Sequence, residues 1–243
     1  MKKYIKLMLF AAAILASFSA SAEDSAVSTK ISSGLFYSSG QSQTTGSADS
    51  TLYSIPLMLS FRGQRVHAGF STSYMDITSR YPSTGTSSKV SGMGDLTFSL
   101  GYDLTDQPSW TVTVKHKFAT GDKSKGLSTG KDDNYLQLDY FSAIGQRSSF
   151  FATAGYKFVG KVAGARMKDS AYGSVGAGYF FPSKTSVGLS LDYLQSSYAS
   201  LKDQTGVSVF VGKSLSKQWS ISAFGSYDNT STQSMGLTFT RKF

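Results

Sequence analysis

The sequence predicts an all-β fold, a transmembrane antiparallel β-barrel of about twelve strands that follows a cleaved signal peptide. Three observations carry this prediction. After residue 22, apolar residues alternate with Gly, Ser and Thr, short and long gaps between the alternating segments follow each other in turn, and aromatic residues gather near segment ends. Charged residues make up 16% of the 243-residue chain, well below the ~25% typical of soluble domains. Much of the surface is therefore not expected to face water.

The N-terminal segment has the three parts of a secretory signal peptide. Three lysines lie within the first six residues, an apolar run covers residues 7–15, and residues 20–22 are Ala, Ser and Ala. The alternative is a membrane anchor, but the apolar run is shorter than the ~20 residues that a spanning helix needs. We expect cleavage before Glu23, which makes residues 1–22 the signal peptide.

The composition of the remaining chain, residues 23–243, excludes several classes of protein. The sequence has no Cys, which excludes a disulfide framework and a thiolate metal site. Removing the three lysines of the signal peptide leaves 21 basic against 15 acidic residues, a net charge of +6 instead of +9. The basic residues are scattered through turns and loops rather than clustered on one face with aromatic residues. We therefore expect no nucleic-acid partner.

Period-two alternation predicts strands that each have one apolar and one polar face. In residues 187–193 the apolar residues alternate with Gly188, Ser190 and Asp192, and residues 235–240 repeat the pattern. Each segment has roughly nine to eleven residues, the length that a tilted strand needs to cross a bilayer. The predicted strands cover residues 30–39, 49–61, 64–76, 92–102, 109–118, 132–143, 148–159, 170–181, 185–196, 205–212, 218–227 and 233–243.

Every second gap between the predicted strands is short, as in residues 62–63, 103–107 and 144–147. The other gaps, such as residues 77–91 and 119–131, are longer and rich in Gly, Ser, Thr and Asp. Outer-membrane barrels have short periplasmic turns and long extracellular loops, so the alternation predicts a barrel in the outer membrane of a Gram-negative cell. An even number of strands would place both termini in the periplasm.

A secreted β-sandwich would show the same alternation and is the alternative fold. The water-facing sides of a sandwich carry many charges, whereas here the polar faces consist mainly of Gly, Ser and Thr. Trp110, Phe150 and Trp219 each follow a short gap, while Phe61 and Tyr102 precede one. This placement is typical of the aromatic girdles at the two faces of a membrane, and it favours the barrel.

Several short segments, taken in their order and spacing, resemble one known family. They are residues 54–57 (SIPL), 92–102 (GMGDLTFSLGY), 117–122 (KFATGD), 127–130 (LSTG) and 154–160 (AGYKFVG). Over most of residues 50–243 the chain resembles the outer-membrane barrel proteins named after the meta-cleavage pathway of phenol degradation. The resemblance implies a twelve-stranded barrel, an outer-membrane channel or transporter for the passive passage of small molecules that include hydrophobic or aromatic ones.

The C-terminus agrees in part with that resemblance. Outer-membrane proteins resemble one another in ending on an aromatic residue that the barrel-assembly machinery binds, and this chain ends with Phe243. An aromatic or apolar residue is usual two positions earlier, where this chain has Arg241, although Leu237 and Phe239 continue the pattern. We expect Arg241 to extend towards the membrane interface, where the cost of a charge falls to ~0–1 kcal/mol.

Parity assigns eight charged or titratable side chains to the interior if the apolar faces meet lipid. The predicted pore-lining residues are Arg65, His67, Asp95, Lys115, Lys117, Asp139, Lys157 and Asp192. Pairing the fourth and fifth predicted strands through residues 103–107 puts Asp95 opposite Lys115, which predicts a cross-strand ion pair. Such charges either select the solutes that pass or fill and stabilise the polar interior of a narrow barrel, and the sequence leaves both functions open.

Two other functions stay open beside a channel. The chief alternative is a structural or surface-binding barrel with a closed lumen, and the less favoured one is a hydrolase of envelope lipid. A serine nucleophile needs a neighbouring base. By parity His116 faces lipid. Of the two histidines, His67, beside Ser71 and Ser73, is therefore the only candidate for this base. Serine is common on barrel strands, so we expect no enzyme.

The sequence also predicts which partners and cofactors the barrel has. The two histidines lie on opposite strand faces and Cys is absent, so we expect no transition-metal site. Passive transport needs no covalent chemistry, and we expect no cofactor. The expected partners are outer-membrane lipid, a small-molecule solute and the assembly machinery.

Overall fold

The structure is a computed structural model that describes residues 27–41 and 48–243 of the chain. These residues form thirteen β-strands. The strands are β1 (Ser28–Gln41), β2 (Asp49–Arg62), β3 (Val66–Tyr81), β4 (Thr86–Met93), β5 (Leu96–Asp106), β6 (Ser109–Phe118), β7 (Asp133–Ile144), β8 (Ser148–Phe158), β9 (Ser170–Phe180), β10 (Thr185–Leu194), β11 (Gln204–Ser214), β12 (Trp219–Asp228) and β13 (Gln233–Lys242). The predicted signal peptide lies outside the described residues. Within them, no helix is long and apolar enough to cross a membrane.

The strands close into an antiparallel barrel with twelve positions around its wall. Strands β5 to β13 pair in chain order, β13 pairs with β1, and β2 and β3 follow. The long strand β3 pairs with β5 along residues 66–71 and with β4 along residues 74–81, so β4 and β5 share one position. The prediction of a closed barrel of about twelve strands is confirmed. Closure leaves no unpaired sheet edge in the wall.

The segment predicted as a long loop at residues 77–91 is instead mostly β-hairpin, and that prediction is wrong. β3 continues to Tyr81, and β4 starts at Thr86 after a turn in which Gly85 has a φ of 66°. Residues 80–89 are exposed on both faces of the hairpin. With water on both sides, the segment lacks the apolar alternation that identified the other strands.

The distribution of polar and apolar residues is the reverse of that in a water-soluble protein. Large apolar side chains on the outer face are exposed, for example Leu35 at 65% and Leu191 at 59%. Buried residues include Asp103, Asp133 and Ser170. An apolar outer face matches the hydrocarbon core of a bilayer, while the polar side chains lie inside the barrel.

Aromatic residues form two bands on the outer face. At the end with the short turns, the Tyr140 ring lies 4.7 Å from Trp110 and 6.0 Å from Phe150, measured between ring centroids. At the end with the long loops, the Tyr37 and Tyr53 rings lie 5.2 Å apart. These bands correspond to the two interfacial girdles of a membrane barrel, and the prediction that Trp110 and Phe150 belong to one of them is confirmed.

Arg241 lies on the outer face in contact with aromatic rings. Its guanidinium carbon is 5.5 Å from the Trp219 ring centroid and 4.6 Å from that of Phe243. A guanidinium over an aromatic face is attracted by the ring quadrupole. The unusual charge near the C-terminus is therefore accommodated within the aromatic band at the short-turn end.

The pairing of β1 with β13 closes the barrel, and this pairing depends on Gly34. A Cβ atom added at Gly34 would overlap the backbone carbonyl oxygen of Leu237 on β13. At Gly225, on the outer face of β12, the nearest atoms would be 3.9 Å away, an ordinary contact distance. Of these two positions, Gly34 is the one that requires glycine, because the backbone atoms of the paired strand have no room to move.

We expect Gly34→Ala to lower the fraction of chain that folds, at a cost of about 1–3 kcal/mol in stability from the overlap with β13. Heat-modifiable electrophoretic mobility after refolding into detergent micelles measures the folded fraction. Gly225→Ala is the control and should refold like the parent protein. Equal refolding of the two variants would show that closure does not depend on Gly34.

Candidate functional site inside the barrel

Strand parity places a set of charged side chains inside the barrel. On β6, Val112 and Val114 point outward, and the alternate positions Lys115 and Lys117 point inward. Hydrogen bonds and ion pairs then connect the inward side chains of β5 to β9 into clusters at different heights. The candidate functional site consists of these clusters and the cavity beside them.

The upper cluster is a network of four charges near the long loops. Lys117 Nζ lies 2.9 Å from Asp95 Oδ2 and 3.1 Å from Asp133 Oδ2. Lys157 Nζ lies 3.3 Å from the same Asp133 oxygen. The side chains of Asp133 and Lys117 are only 4% and 15% exposed. Mutual pairing offsets the cost of removing these charges from water.

Backbone N–H groups of two loops complete the hydrogen bonding of the upper cluster. The N–H of Gly121 donates to Asp95 Oδ1 and the N–H of Gly160 donates to Asp133 Oδ1, each at 2.9 Å. A Cβ atom at Gly160 would overlap the carbonyl oxygen of Asp132, so the close approach of this loop requires glycine. The cluster therefore fastens the β6–β7 and β8–β9 loops to the barrel interior.

The predicted ion pair between Asp95 and Lys115 is wrong. β5 and β6 pair Ser99 with Lys115, which leaves Asp95 beside Lys117 instead. The prediction placed the turn at residues 103–107, whereas β5 continues to Asp106 and a bulge between Asp103 and Thr105 shifts its register against β6. Asp95 itself lies in the break between β4 and β5 rather than within a continuous strand.

The middle cluster is organised by Gln137. Its Oε1 accepts hydrogen bonds from Lys115 Nζ at 2.8 Å and from the Tyr172 hydroxyl at 2.9 Å. Its Nε2 donates to Asp139 Oδ2 at 2.7 Å, and Thr153 donates to the other carboxylate oxygen at the same distance. Side chains from β6, β7, β8 and β9 are thereby linked across the interior.

The lower cluster surrounds Asp103 near the short turns. Asp103 Oδ2 lies 2.9 Å from the Arg62 guanidinium and 2.6 Å from His67 Nε2, while Oδ1 accepts a 2.7 Å bond from Thr111. The Asp103 side chain is 6% exposed. Its carboxylate oxygens are thus supplied with donors from three neighbouring strands, as a buried carboxylate requires.

Two predicted site residues have surroundings that differ from the expectation. Arg65 lies in the turn before β3, not inside a strand, with its half-exposed guanidinium 3.6 Å from Asp106. The strand begins at Val66, two residues later than the predicted start at residue 64. His67 is inward as predicted, but within residues 27–41 and 48–243 no hydrogen bond joins it to Ser71 or Ser73.

The remaining predicted residues lie where parity put them. Asp192 faces the interior and accepts bonds from the hydroxyls of Ser190 at 3.0 Å and Ser208 at 2.5 Å. His116 lies on the outer face, where its Nδ1 is 2.7 Å from Asn134 Oδ1. Lys115, Lys117, Asp139 and Lys157 belong to the clusters described above, so these side chains share one polar interior.

The sequence analysis missed several residues of the clusters, among them Asp103, Asp133 and Gln137. Asp133 and Gln137 share the parity of Asp139 within one predicted strand, and that signal could have found them. Asp103 fell in a predicted turn, where parity has no meaning. The bulge beside it was invisible in the hydrophobic pattern.

The part of the interior wall from β11 through β12 and β13 to β1 carries phenylalanine rings. The Phe210 ring covers Gly188 so closely that a Cβ atom there would overlap it, and its centroid lies 5.7 Å from that of Phe151. The Phe224 ring lies 5.8 Å from Phe36. The barrel interior therefore has an aromatic side facing a charged side.

A cavity of about 490 Å³ lies at the long-loop end. Lys117, Asp133 and Lys157 of the upper cluster line it, together with residues of the β8–β9 and β10–β11 loops. The site thus combines a cavity near the loops with charged and aromatic surfaces deeper in the barrel.

The closed wall, the apolar outer face with two aromatic bands and the polar interior define an outer-membrane β-barrel protein. The chain belongs to the family described as "Putative MetA-pathway of phenol degradation", whose sequence profile matches residues 17–242. The predicted family is thereby confirmed. Comparison with curated protein sequences gives no match.

Solved structures share this fold. The COG4313 outer membrane channel from Pseudomonas putida F1 is 15% identical, with a TM-score of 0.69 over 91% of this chain and 98% of that one. The translocator domain of autotransporter NalP from Neisseria meningitidis is 9% identical, with a TM-score of 0.53 over 100% and 97%. The Pseudomonas putida toluene transporter TodX is 12% identical, with a TM-score of 0.53 over 91% of each chain. At these identities the similarity establishes the barrel fold.

We expect Asp133→Asn to lower the free energy of unfolding by about 3 kcal/mol, because it leaves two partly buried lysines with one carboxylate fewer. Guanidinium unfolding of the refolded protein in micelles measures this change. Asp106→Asn is the control, since the Asp106 side chain is 80% exposed and the charge change is the same. Indistinguishable unfolding midpoints for the two variants would argue against a stabilising role for the upper cluster.

The β10–β11 loop is held by Asp203. Its carboxylate accepts the Ser196 N–H and the Tyr193 hydroxyl, each at 2.9 Å, and these bonds hold the pKa of Asp203 below its ordinary value. Because the pKa of Asp203 is lowered, its carboxylate contributes fully to the order of the loop above the ordinary aspartate pKa of about 3.9. This contribution is lost as the pH falls through the lowered pKa.

We therefore expect Asp203→Asn to weaken protection of the Ser196 amide against hydrogen exchange at pH 5. As the pH falls from 5 through the lowered pKa, the parent carboxyl becomes protonated as well, so at a second, acidic pH the difference between parent and variant should shrink. Comparing the two proteins at each pH removes the intrinsic pH dependence of exchange. A difference of the same size at both pH values would contradict the assignment.

Proposed function

We propose that this protein is an outer-membrane channel for the passive passage of small molecules, including hydrophobic and aromatic ones, and not an enzyme. The observation that carries the proposal is the two-sided interior, in which an aromatic wall faces fixed charges below a cavity at the long-loop end. Membership of the phenol-degradation family supports it. Shared fold with a COG4313 outer membrane channel and with a toluene transporter is consistent with it.

The same proposal sets the orientation and the assembly of the barrel. Ser28 and Lys242 lie at the short-turn end, which in outer-membrane barrels is periplasmic. Both termini would then be in the periplasm. The N–H of Phe243 donates to the carbonyl of Thr29 at 2.9 Å, so the last residue belongs to the closing seam. We expect the assembly machinery to bind the chain through this C-terminal strand.

Passage through such a barrel requires binding surfaces rather than reactive groups. The phenylalanine rings can contact an apolar solute inside the barrel. These contacts replace the ones that the solute made with its apolar surroundings before it entered. Lys115, Lys117 and Lys157, with Asp139 and Asp192, would set which charges are tolerated. His67 lies deeper, with the lower cluster, while Arg65 lies at the short-turn mouth.

One observation favours a closed, structural barrel as the second candidate. The middle cluster links side chains of four strands through Gln137 and so occupies part of the interior. If these side chains block the lumen completely, the folded protein would pass no solute. Conductance separates the two functions directly.

We expect the refolded protein to produce stepwise single-channel currents in planar bilayers. Lys115→Met removes a positive charge from the interior and should shift ion selectivity towards cations, because a fixed cation repels mobile ones. Lys161→Met, in the β8–β9 loop outside the cavity, is the control with the same charge change. A folded barrel that stays silent would reject the channel in favour of the structural candidate.

A further inference from the structure

The cavity at the long-loop end is lined by charged and by apolar side chains. Lys157 and Lys202 line it with the upper cluster, and Met167, Leu194 and Leu201 supply its apolar wall. The volume of about 490 Å³ lies within the ~300–1,000 Å³ range of small-molecule sites. A ligand that contacted both kinds of side chain would need an apolar body and one polar end.

Lys157 is the lysine placed to receive a ligand. Lys117 is held between two aspartates at 2.9 and 3.1 Å and its side chain is 15% exposed. Lys157 has one ion pair, at 3.3 Å to Asp133, and its side chain is 24% exposed. An ammonium carries three N–H donors, so Lys157 can donate to an incoming anion while it keeps its bond to Asp133.

The charges around Lys157 set the charge of that ligand. Asp95 and Asp133 together balance Lys117 and Lys157 within the upper cluster. A single negative charge can be attracted to Lys157. The further charges of a polyanion would be repelled by the carboxylates of Asp95 and Asp133. The Tyr135 ring, 5.6 Å from Lys157 Nζ, provides an aromatic surface beside the ammonium.

The apolar wall is preformed because two loops are pinned together. Met167 and Tyr198 form an isolated β-bridge between the β8–β9 and β10–β11 loops. The N–H of Lys168 donates to the carbonyl of Ser197 at 2.9 Å, and the hydroxyls of Ser170 and Ser197 lie 3.0 Å apart. A surface that is ordered before binding loses little conformational entropy when a ligand arrives.

We propose that this cavity is a binding site for a small organic acid with one ionised carboxylate on a compact apolar body, such as an aromatic ring. The carboxylate lies on Lys157 and the ring against Met167, Leu194 and Leu201. An uncharged hydrocarbon would use only the apolar wall, and an inorganic anion only the lysine. The inference rests on the proposed function, since the bound acid occupies the outer end of the proposed pathway.

Isothermal titration of the refolded full barrel with benzoate tests the site. Benzamide has the same ring without the charge, and acetate has the charge without the ring. Because a hydrogen bond to a charged group contributes ~1.5–3 kcal/mol, we expect benzoate to bind at least about tenfold more tightly than either. Equal affinities for benzoate and benzamide would overturn the proposal.

Variants locate the site within the barrel. Lys157→Met should weaken benzoate binding about tenfold or more, while the control Lys161→Met should leave it unchanged. Leu201→Asn should weaken benzoate and leave acetate unaffected, because only the ring contacts that wall. Lys157→Arg keeps the charge and should keep binding, which tests the position even if the methionine variant fails to fold. Equal losses in Lys157→Met and Lys161→Met would overturn the assignment.

Single-channel currents from the same preparation separate this inference from the proposed function. A conducting barrel that discriminates none of the three probes would overturn the acid site and leave the channel standing. A silent barrel that binds benzoate through Lys157 would overturn the channel and leave the binding site standing.

Discussion

In the hydrocarbon core of a membrane, every backbone N–H and C=O must find its partner within the protein, and this constraint governs the whole barrel. Twelve wall positions close through β1 and β13, and among the described strands only β4, most of which lies in the exposed hairpin, pairs on one side alone. The break between β4 and β5 obeys the same rule. There the Gly94 N–H donates to the Ser73 carbonyl and the Leu96 N–H to the Thr120 hydroxyl, each at 2.8 Å. The β6–β7 loop is therefore part of the wall's hydrogen bonding.

Closure also decides where charges can lie. Once one face of each strand meets lipid, the alternate face must hold every charged side chain of the membrane-spanning part, and each needs partners in a confined space. Asp103, Asp133 and Asp139 meet this need in three separate clusters. The same ion pairs that make the interior stable also fix the positions of its charges. Structural and selective roles of these side chains are therefore two consequences of one arrangement.

The sequence predicted the features of the barrel that depend on local pattern. Period-two alternation identifies inward residues such as Lys117 and Lys157 because it needs only the two faces of one strand. Register depends on where a strand ends and on bulges, neither of which alters the alternation, so Asp95 was paired with the wrong lysine. The hairpin at residues 80–89 was not predicted because both of its faces meet water, so its sequence does not alternate between apolar and polar residues. Asp103 was not predicted as an inward residue because a bulge follows it in the strand.

The cavity shows why part of the site lies beyond sequence pattern altogether. Lys117 and Lys157 come from barrel strands, where parity places them, but Met167 and Leu201 come from loops without periodicity. Contacts between two loops far apart in the chain, among them the bridge between Met167 and Tyr198, bring these apolar residues to the same cavity as the lysines. Because neither loop takes part in closing the wall, substitutions there can change the apolar surface while the barrel keeps its register. At the long-loop end of the barrel, the upper cluster and the apolar surface beside it are thus set by different parts of the chain, the strands of the wall and the loops between them.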